Sequence, residues 1–196
     1  EFTMTMPMSL TISTGLDALC HAVEAYWAKT SNDMVREVSK LAISLIVNNL
    51  PKLIKCQGKD LELRKKMCLG SVFAGIAFSN TRTTACHSIS YPLTMQYNVP
   101  HGFACAMTLA QVMEINRDKI VEYEGLLTAL QVSSAEEFQA WLDSVVKPVT
   151  KLRLEHYGVE DIDSLVSSAF NKGRMGNNPV ELSADDVRDI LNKIYR

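Results

Sequence analysis

The sequence predicts an all-α protein, a single helical-bundle domain behind a short extended N-terminal segment. Three observations predict this. Beyond Gly15, apolar residues recur every three to four positions in one stretch after another. Helix punctuation is in place, with Asp33, Ser134 and Ser183 positioned to begin helices and Pro51 to interrupt one. Past the opening, no stretch alternates as a strand would, and there is no internal repeat or low-complexity tract.

The opening residues, Glu1 to Ser13, alternate Thr with Met or Leu around Pro7, a pattern that suits an extended entry better than a helix. Leu16 to about Lys29 is Ala-rich with apolar residues on most faces, which predicts a buried helix. Asp33 caps the next, where Val35, Val38, Leu41, Ala42, Leu45 and Ile46 keep the helical period as far as Pro51. A third helix is expected over roughly Asp60 to Ser79, and a fourth from about Thr83 into the Pro92 region. A fifth opens after Pro100-His101-Gly102 and runs to about Asn116. Ser134 and Glu137 have capping-box spacing before the apolar face of Phe138, Trp141, Leu142, Val145 and Val146. Two shorter helices are expected near Asp161 to Asn171 and Ala184 to Tyr195, the second opened by Ser183 and Asp186, with Gly173 to Pro179 as the clearest loop.

At 196 residues, 47% hydrophobic and 21% charged, the chain has the composition of a soluble globular domain able to bury a sizeable core. Its formal charge of −2 provides no field for nucleic acid or an anionic membrane, and the Arg64-Lys65-Lys66 cluster is expected to be a solvated helix face. The apolar stretches Leu41–Val47 and Val72–Phe78 are too short to span a bilayer. Five cysteines without CxxC spacing argue for a reducing, cytoplasmic setting, and no secretory signal opens the chain. The absence of an initiator methionine leads to the expectation that the chain is part of a longer protein.

Three of the four histidines sit where chemistry is expected. Asp17 and His21 are four residues apart, so on a helix both leave the same face and their separation is fixed by the backbone. His87 follows Thr84-Ala-Cys within a predicted helix, and His101 stands between Pro100 and Gly102 at a predicted helix start. One carboxylate and three imidazoles suit Fe²⁺ or Zn²⁺. Taken separately, the same residues read as a surface ion pair and hydrogen-bonded core histidines. His156 lies in a polar segment and is expected to be exposed.

Two long motifs bear on that choice. Thr14-Gly-Leu-Asp-Ala-Leu-Cys-His-Ala-Val-Glu-Ala-Tyr26 resembles the Gly-x-Asp-Ala-x-x-His-Ala-x-Glu-x-Tyr signature of iron-containing alcohol dehydrogenases. The stretch from Ala77 to Asn116 resembles that family's second signature, with Phe-Ser-Asn, His87, Pro-His-Gly at 100–102 and Val112-Met-Glu-Ile-Asn116. The fourteen-residue spacing from His87 to His101 and the late Asn178-Pro179 are similar as well. The resemblance covers the whole chain and places Asp17, His21, His87 and His101 on the family's metal ligands.

The resemblance implies a two-domain, NAD(P)-dependent enzyme that interconverts small-molecule alcohols and aldehydes, with a metal polarising the reacting oxygen during hydride transfer. Residues 1–196 would be its all-helical metal-binding half, inactive alone. The nucleotide-binding α/β half is absent, since the nine glycines form no Gly-x-Gly-x-x-Gly. A homodimer is a further expectation. Glu24, three after His21, is positioned to orient a ligand or to serve the helix surface. Many family members have a histidine where this chain has Tyr91, which therefore becomes the candidate catalytic or substrate-shaping residue. Thr81-Arg-Thr-Thr84 is similar to the phosphonoacetaldehyde reductase branch, making Arg82 and Thr83 candidate contacts for an anionic substrate group. The alternatives are a glycerol-dehydrogenase-like zinc enzyme domain and a non-catalytic helical module for metal binding or oligomerisation.

Overall fold

The computed structural model describes residues 1–196, the side chain of Lys172 excepted. Every regular element among the described residues is helical: α1 (Met8–Trp27), α2 (Asp33–Lys55), α3 (Leu61–Ser79), α4 (Ala85–Tyr97), α5 (His101–Asn116), α6 (Tyr123–Leu130), α7 (Ala135–Val146), α8 (Ile162–Ser168), α9 (Lys172–Met175) and α10 (Ala184–Lys193). Short 3₁₀ turns lie at Arg117–Lys119 and Glu155–Tyr157.

The expected extended entry is not there. Residues 2–5 form turns and α1 begins at Met8, with the Pro7 carbonyl accepting from Thr11 N–H. The Thr/Met alternation describes only the first few residues. Ile12, Leu16 and Leu19 then fall on one helical stripe and are fully buried, so tertiary burial decides the segment. Pro51 does not end α2 either. Leu50 and Leu53 on either side of it are buried, and their burial offsets the one backbone bond a proline removes. The helix stops at a Schellman motif, where Gly58 N–H donates to the Leu53 carbonyl and Gln57 N–H to that of Ile54.

The caps fall close to their expected places. Asn32, not Asp33, caps α2 by accepting from Val35 N–H, and Asp60 caps α3 through Leu63 N–H. Ser134 accepts from Glu137 N–H, but the Glu137 carboxylate returns to Ser133 N–H, so that box is displaced by one residue. Ser183 and Asp186 form the complete reciprocal box. Neither α6 nor α9 is expected from the sequence, and α9 lies partly within the expected 173–179 loop.

α1 is the central element, buried on nearly every face from Thr11 onward and packed by α2, α3 and α5. α4 lies against α5, α8 and α9 approach α4, and α10 closes on α8 and α5. The crossing of α1 and α5 depends on Gly102: a Cβ there would stand 1.8 Å from the Ser13 carbonyl oxygen. This close approach brings the start of α5 against the middle of α1. α3 has an outward stripe of Leu69, Val72 and Ile76, each roughly half exposed. No helix among the described residues is long and apolar enough to cross a membrane. All five cysteines are free.

Candidate metal centre

Three helices meet at one carboxylate. Asp17 and His21 project from successive turns of α1, His87 comes from the first turn of α4, and His101 is the first residue of α5. Asp17 Oδ1 lies 3.5 Å from His87 Nε2, 3.7 Å from His101 Nε2 and 3.9 Å from His21 Nδ1. None of these approaches is a hydrogen bond: Asp17 Oδ1 and His87 Nε2 are both buried without a partner. Leaving two such atoms unpaired costs about 1–3 kcal/mol each. A cation among the four side chains removes that cost, and this donor set fits Fe²⁺ or Zn²⁺. The four residues predicted from sequence are thus brought together.

The best-clustered donors are Asp17, His87, His101 and Cys105, all within 4.8 Å of one another. Cys105 follows His101 by one turn of α5, and its Sγ lies 3.6 Å from His101 Nε2. His21 stands at the edge of this group. Its ring packs 4.4 Å from that of His87 and 4.7 Å from that of Phe78. Cys20 and Cys86 belong to the hydrophobic core. His156 is exposed, as expected.

Beneath the cluster, Glu24 is fully buried and directs both of its oxygens to the start of α4. Its Oε1 accepts from the Thr84 hydroxyl at 2.6 Å, from Cys86 N–H at 2.8 Å and weakly from His87 N–H at 3.4 Å. Its Oε2 pairs with His87 Nδ1. Trp27 Nε1–H donates to Thr84 Oγ1 at 2.9 Å, locking the hydroxyl's orientation. A carboxylate on Nδ1 keeps the proton there and turns the Nε2 lone pair toward Asp17.

The charges are strongly coupled. Burial raises the Glu24 and Asp17 carboxyls, but the neighbouring imidazoles outweigh it and both end below the usual carboxylate range. Burial pulls His87 down, yet Glu24, Cys105 and Asp17 hold it well above an ordinary histidine. His21 is lowered by burial and by the His87 charge. Burial raises the Cys105 thiol, but His87 and His101 bring it below its ordinary value.

The remaining predicted residues border the cluster. The Tyr91 ring lies 5.5 Å from that of His101, and its hydroxyl accepts from Arg174 Nη2 at 3.0 Å. Arg82 and Thr83 are not at the metal cluster. They line a neighbouring cleft of about 320 Å³ together with Phe78, Asn171, Gly173 and Arg174. A larger cleft of about 630 Å³ near Asp161 and Arg196 contains none of these residues. Arg174 is invisible as a site residue in the sequence, because nothing in Gly173-Arg-Met-Gly176 signals proximity to Tyr91. Phe78 stands within a family-like motif, but no spacing rule places its ring against His21.

The chain spans about half the length of the curated relatives it matches. The NADPH-dependent butanol dehydrogenase of Clostridium saccharobutylicum is 31% identical over 210 residues, covering 100% of this chain and 53% of that protein. The crystal structure of sulfoacetaldehyde reductase from Bifidobacterium kashiwanohense, in complex with NAD⁺, superposes with a TM-score of 0.80 at 27% identity, covering 99% of this chain and 52% of that one. An iron-containing alcohol dehydrogenase from Thermotoga maritima does so with a TM-score of 0.81 at 30% identity, covering 98% and 51%. Residues 11–195 match the Fe-containing alcohol dehydrogenase family, C-terminal. With this match extending from α1 to the chain's last helix, the chain belongs to the Fe-containing alcohol dehydrogenase family.

Proposed function

We propose that this chain is the metal-holding half of an NAD- or NADP-dependent alcohol dehydrogenase or aldehyde reductase, its ligands being Asp17, His21, His87 and His101. The observation that carries the reading is the pair of buried, partnerless atoms, Asp17 Oδ1 and His87 Nε2, converging with two further imidazoles. The named activities of the relatives supply the reaction class, and the NAD⁺ complex of the sulfoacetaldehyde reductase supports the nicotinamide cofactor. The nucleotide would be held chiefly by an N-terminal α/β domain, consistent with relatives about twice as long. Either Fe²⁺ or Zn²⁺ satisfies the donor set.

When bound, the metal supplies Lewis acidity to the oxygen of the alcohol or aldehyde. The protein's own contribution is orientation and exclusion. Glu24 fixes the His87 tautomer, and the rings of Phe78 and Tyr91 border the cluster beside His21 and His101. Tyr91 is held by Arg174 through its hydroxyl, which suits substrate positioning. Arg82 and Thr83 line the cleft beside Phe78, where the anionic end of a phosphonate-bearing aldehyde would sit.

The test is metal content of the full-length protein after anaerobic Fe²⁺ or Zn²⁺ reconstitution, compared with Asp17→Ala and His87→Ala. One metal per chain, lost in both variants and accompanied by NAD(P)H-dependent reduction of short aldehydes, is expected. Equal metal content in wild type and both variants would overturn the ligand assignment.

A further inference from the structure

Two arginines share the cleft next to the metal centre, and neither has a carboxylate within ion-pair distance among the described residues. Arg82 precedes α4 and is exposed. Arg174 comes from α9, nearly a hundred residues later, with its guanidinium 4.2 Å from the centroid of the Tyr91 ring. Of its five N–H donors, one goes to the Tyr91 hydroxyl. Two residues of like charge lining one small cleft give it a positive character that an anion would neutralise.

The segments that carry the two arginines are held in fixed relation. Asn177 Nδ2 donates to the Arg82 carbonyl at 2.8 Å, and Lys29 N–H donates to the Asn177 carbonyl at 3.0 Å. Asn171 N–H donates to Ser88 Oγ at 3.2 Å, tying the start of α9 to α4. Asn178 is locked to buried Asn116 by reciprocal amide bonds of 2.9 and 2.8 Å. The segment carrying Arg174 is thereby fastened to the segments carrying Arg82 and the proposed ligands. The cleft adjoins the cluster through two rings: Phe78, which lines it, packs 4.7 Å from the His21 ring, and Tyr91, under Arg174, lies 5.5 Å from the His101 ring.

We propose that Arg82 and Arg174 form a two-cation subsite for a tetrahedral oxyanion, the phosphonate or sulfonate end of a short aldehyde whose carbonyl faces the Asp17–His21–His87–His101 cluster. This deepens the dehydrogenase reading above and rests on it for the position of the carbonyl. One guanidinium satisfies both oxygens of a planar carboxylate, whereas a tetrahedral group offers three oxygens and makes use of the second cation. A cleft of about 320 Å³ suits a short chain. The stacking of Arg174 on Tyr91 also gives that tyrosine a positioning role, since its ring and hydroxyl together hold the second cation in place.

The test uses the full-length protein saturated with NAD⁺ or NADP⁺, so that the nucleotide's own anion site is filled. Methylphosphonate, methanesulfonate and acetate are titrated calorimetrically into wild type, Arg82→Met, Arg174→Met and Arg174→Lys. Wild type is expected to bind one or both tetrahedral anions more tightly than acetate, and the arms identify which. Each Met variant is expected to weaken that binding about tenfold or more, with Arg174→Lys in between. In turnover, the preference for the anionic over a neutral aldehyde of equal length falls by a similar factor, mainly through KM. Absence of binding in wild type, or binding indifferent to both Met variants, overturns the subsite. Arginine-dependent anion binding without reduction of any aldehyde supports the subsite and counts instead against the dehydrogenase reading.

Discussion

Replacing Glu24 with glutamine tests whether the buried carboxylate sets the His87 tautomer. The substitution keeps shape and leaves one oxygen for Thr84 Oγ1 and Cys86 N–H, at 2.6 and 2.8 Å in the native site. The other oxygen becomes an NH₂ facing His87 Nδ1. Two donors then confront each other unless the imidazole moves its proton to Nε2, which removes the lone pair aimed at Asp17. Loss of an outer partner of this kind lowers metal affinity about 10–100-fold. In the metal-free protein the variant also forfeits a buried charge pair, a loss of about 3 kcal/mol. The sign follows from the two groups. Glu24 is depressed, so its contribution is present above the ordinary 4.5 and lost as acid protonates it. His87 is raised, so its contribution is present below the ordinary 6.5 and lost as rising pH strips the proton. The stability gap between wild type and Glu24→Gln should therefore be widest between those values. Competitive chelator titration of the full-length protein, with urea denaturation of the metal-free form at several pH values, reads both effects. Unchanged metal affinity in Glu24→Gln would refute the orienting role.

Other substitutions probe the helix crossing, the ligand set and the last cap separately. Gly102→Ala drives a Cβ into the Ser13 carbonyl and should cost about 3 kcal/mol or prevent folding, read by thermal melting. An unchanged melt would mean that α1 and α5 do not cross so closely. His21→Ala is expected to lower metal affinity more than about a hundredfold and Cys105→Ser less than about tenfold. The reverse order would make Cys105 the fourth ligand. Ser183→Ala removes the reciprocal cap of α10 and should cost about 1 kcal/mol. Because Asp186 is held below its ordinary 3.8 by Ser183, the cap's contribution is present above that pH and fades as pH falls further, which denaturation midpoints can follow.

The site was legible where sequence spacing and spatial adjacency coincide. Asp17, His21 and Glu24 share helix-period spacing on one buried helix, so their common face follows from the chain itself. Capping at Ser134 and Ser183 was similarly readable, because a cap is a contact over three residues. The entry segment misled because Thr and Met alternate there locally, whereas the helix from Met8 is fixed by burial of Ile12 and Leu16 against distant elements. Pro51 misled for the same reason.

The sequence by itself determined the helical class, the positions of most helix starts, and the residue types able to hold a metal. The tertiary structure alone decided that Cys105 joins the cluster, that Glu24 serves His87 rather than the surface, and that Arg82 and Arg174 line one cleft. Periodicity and capping are local, acting within one or two turns of a helix. Convergence on a site depends on how helices cross, and here α1 and α5 approach so closely that no side chain fits at Gly102 against the Ser13 carbonyl.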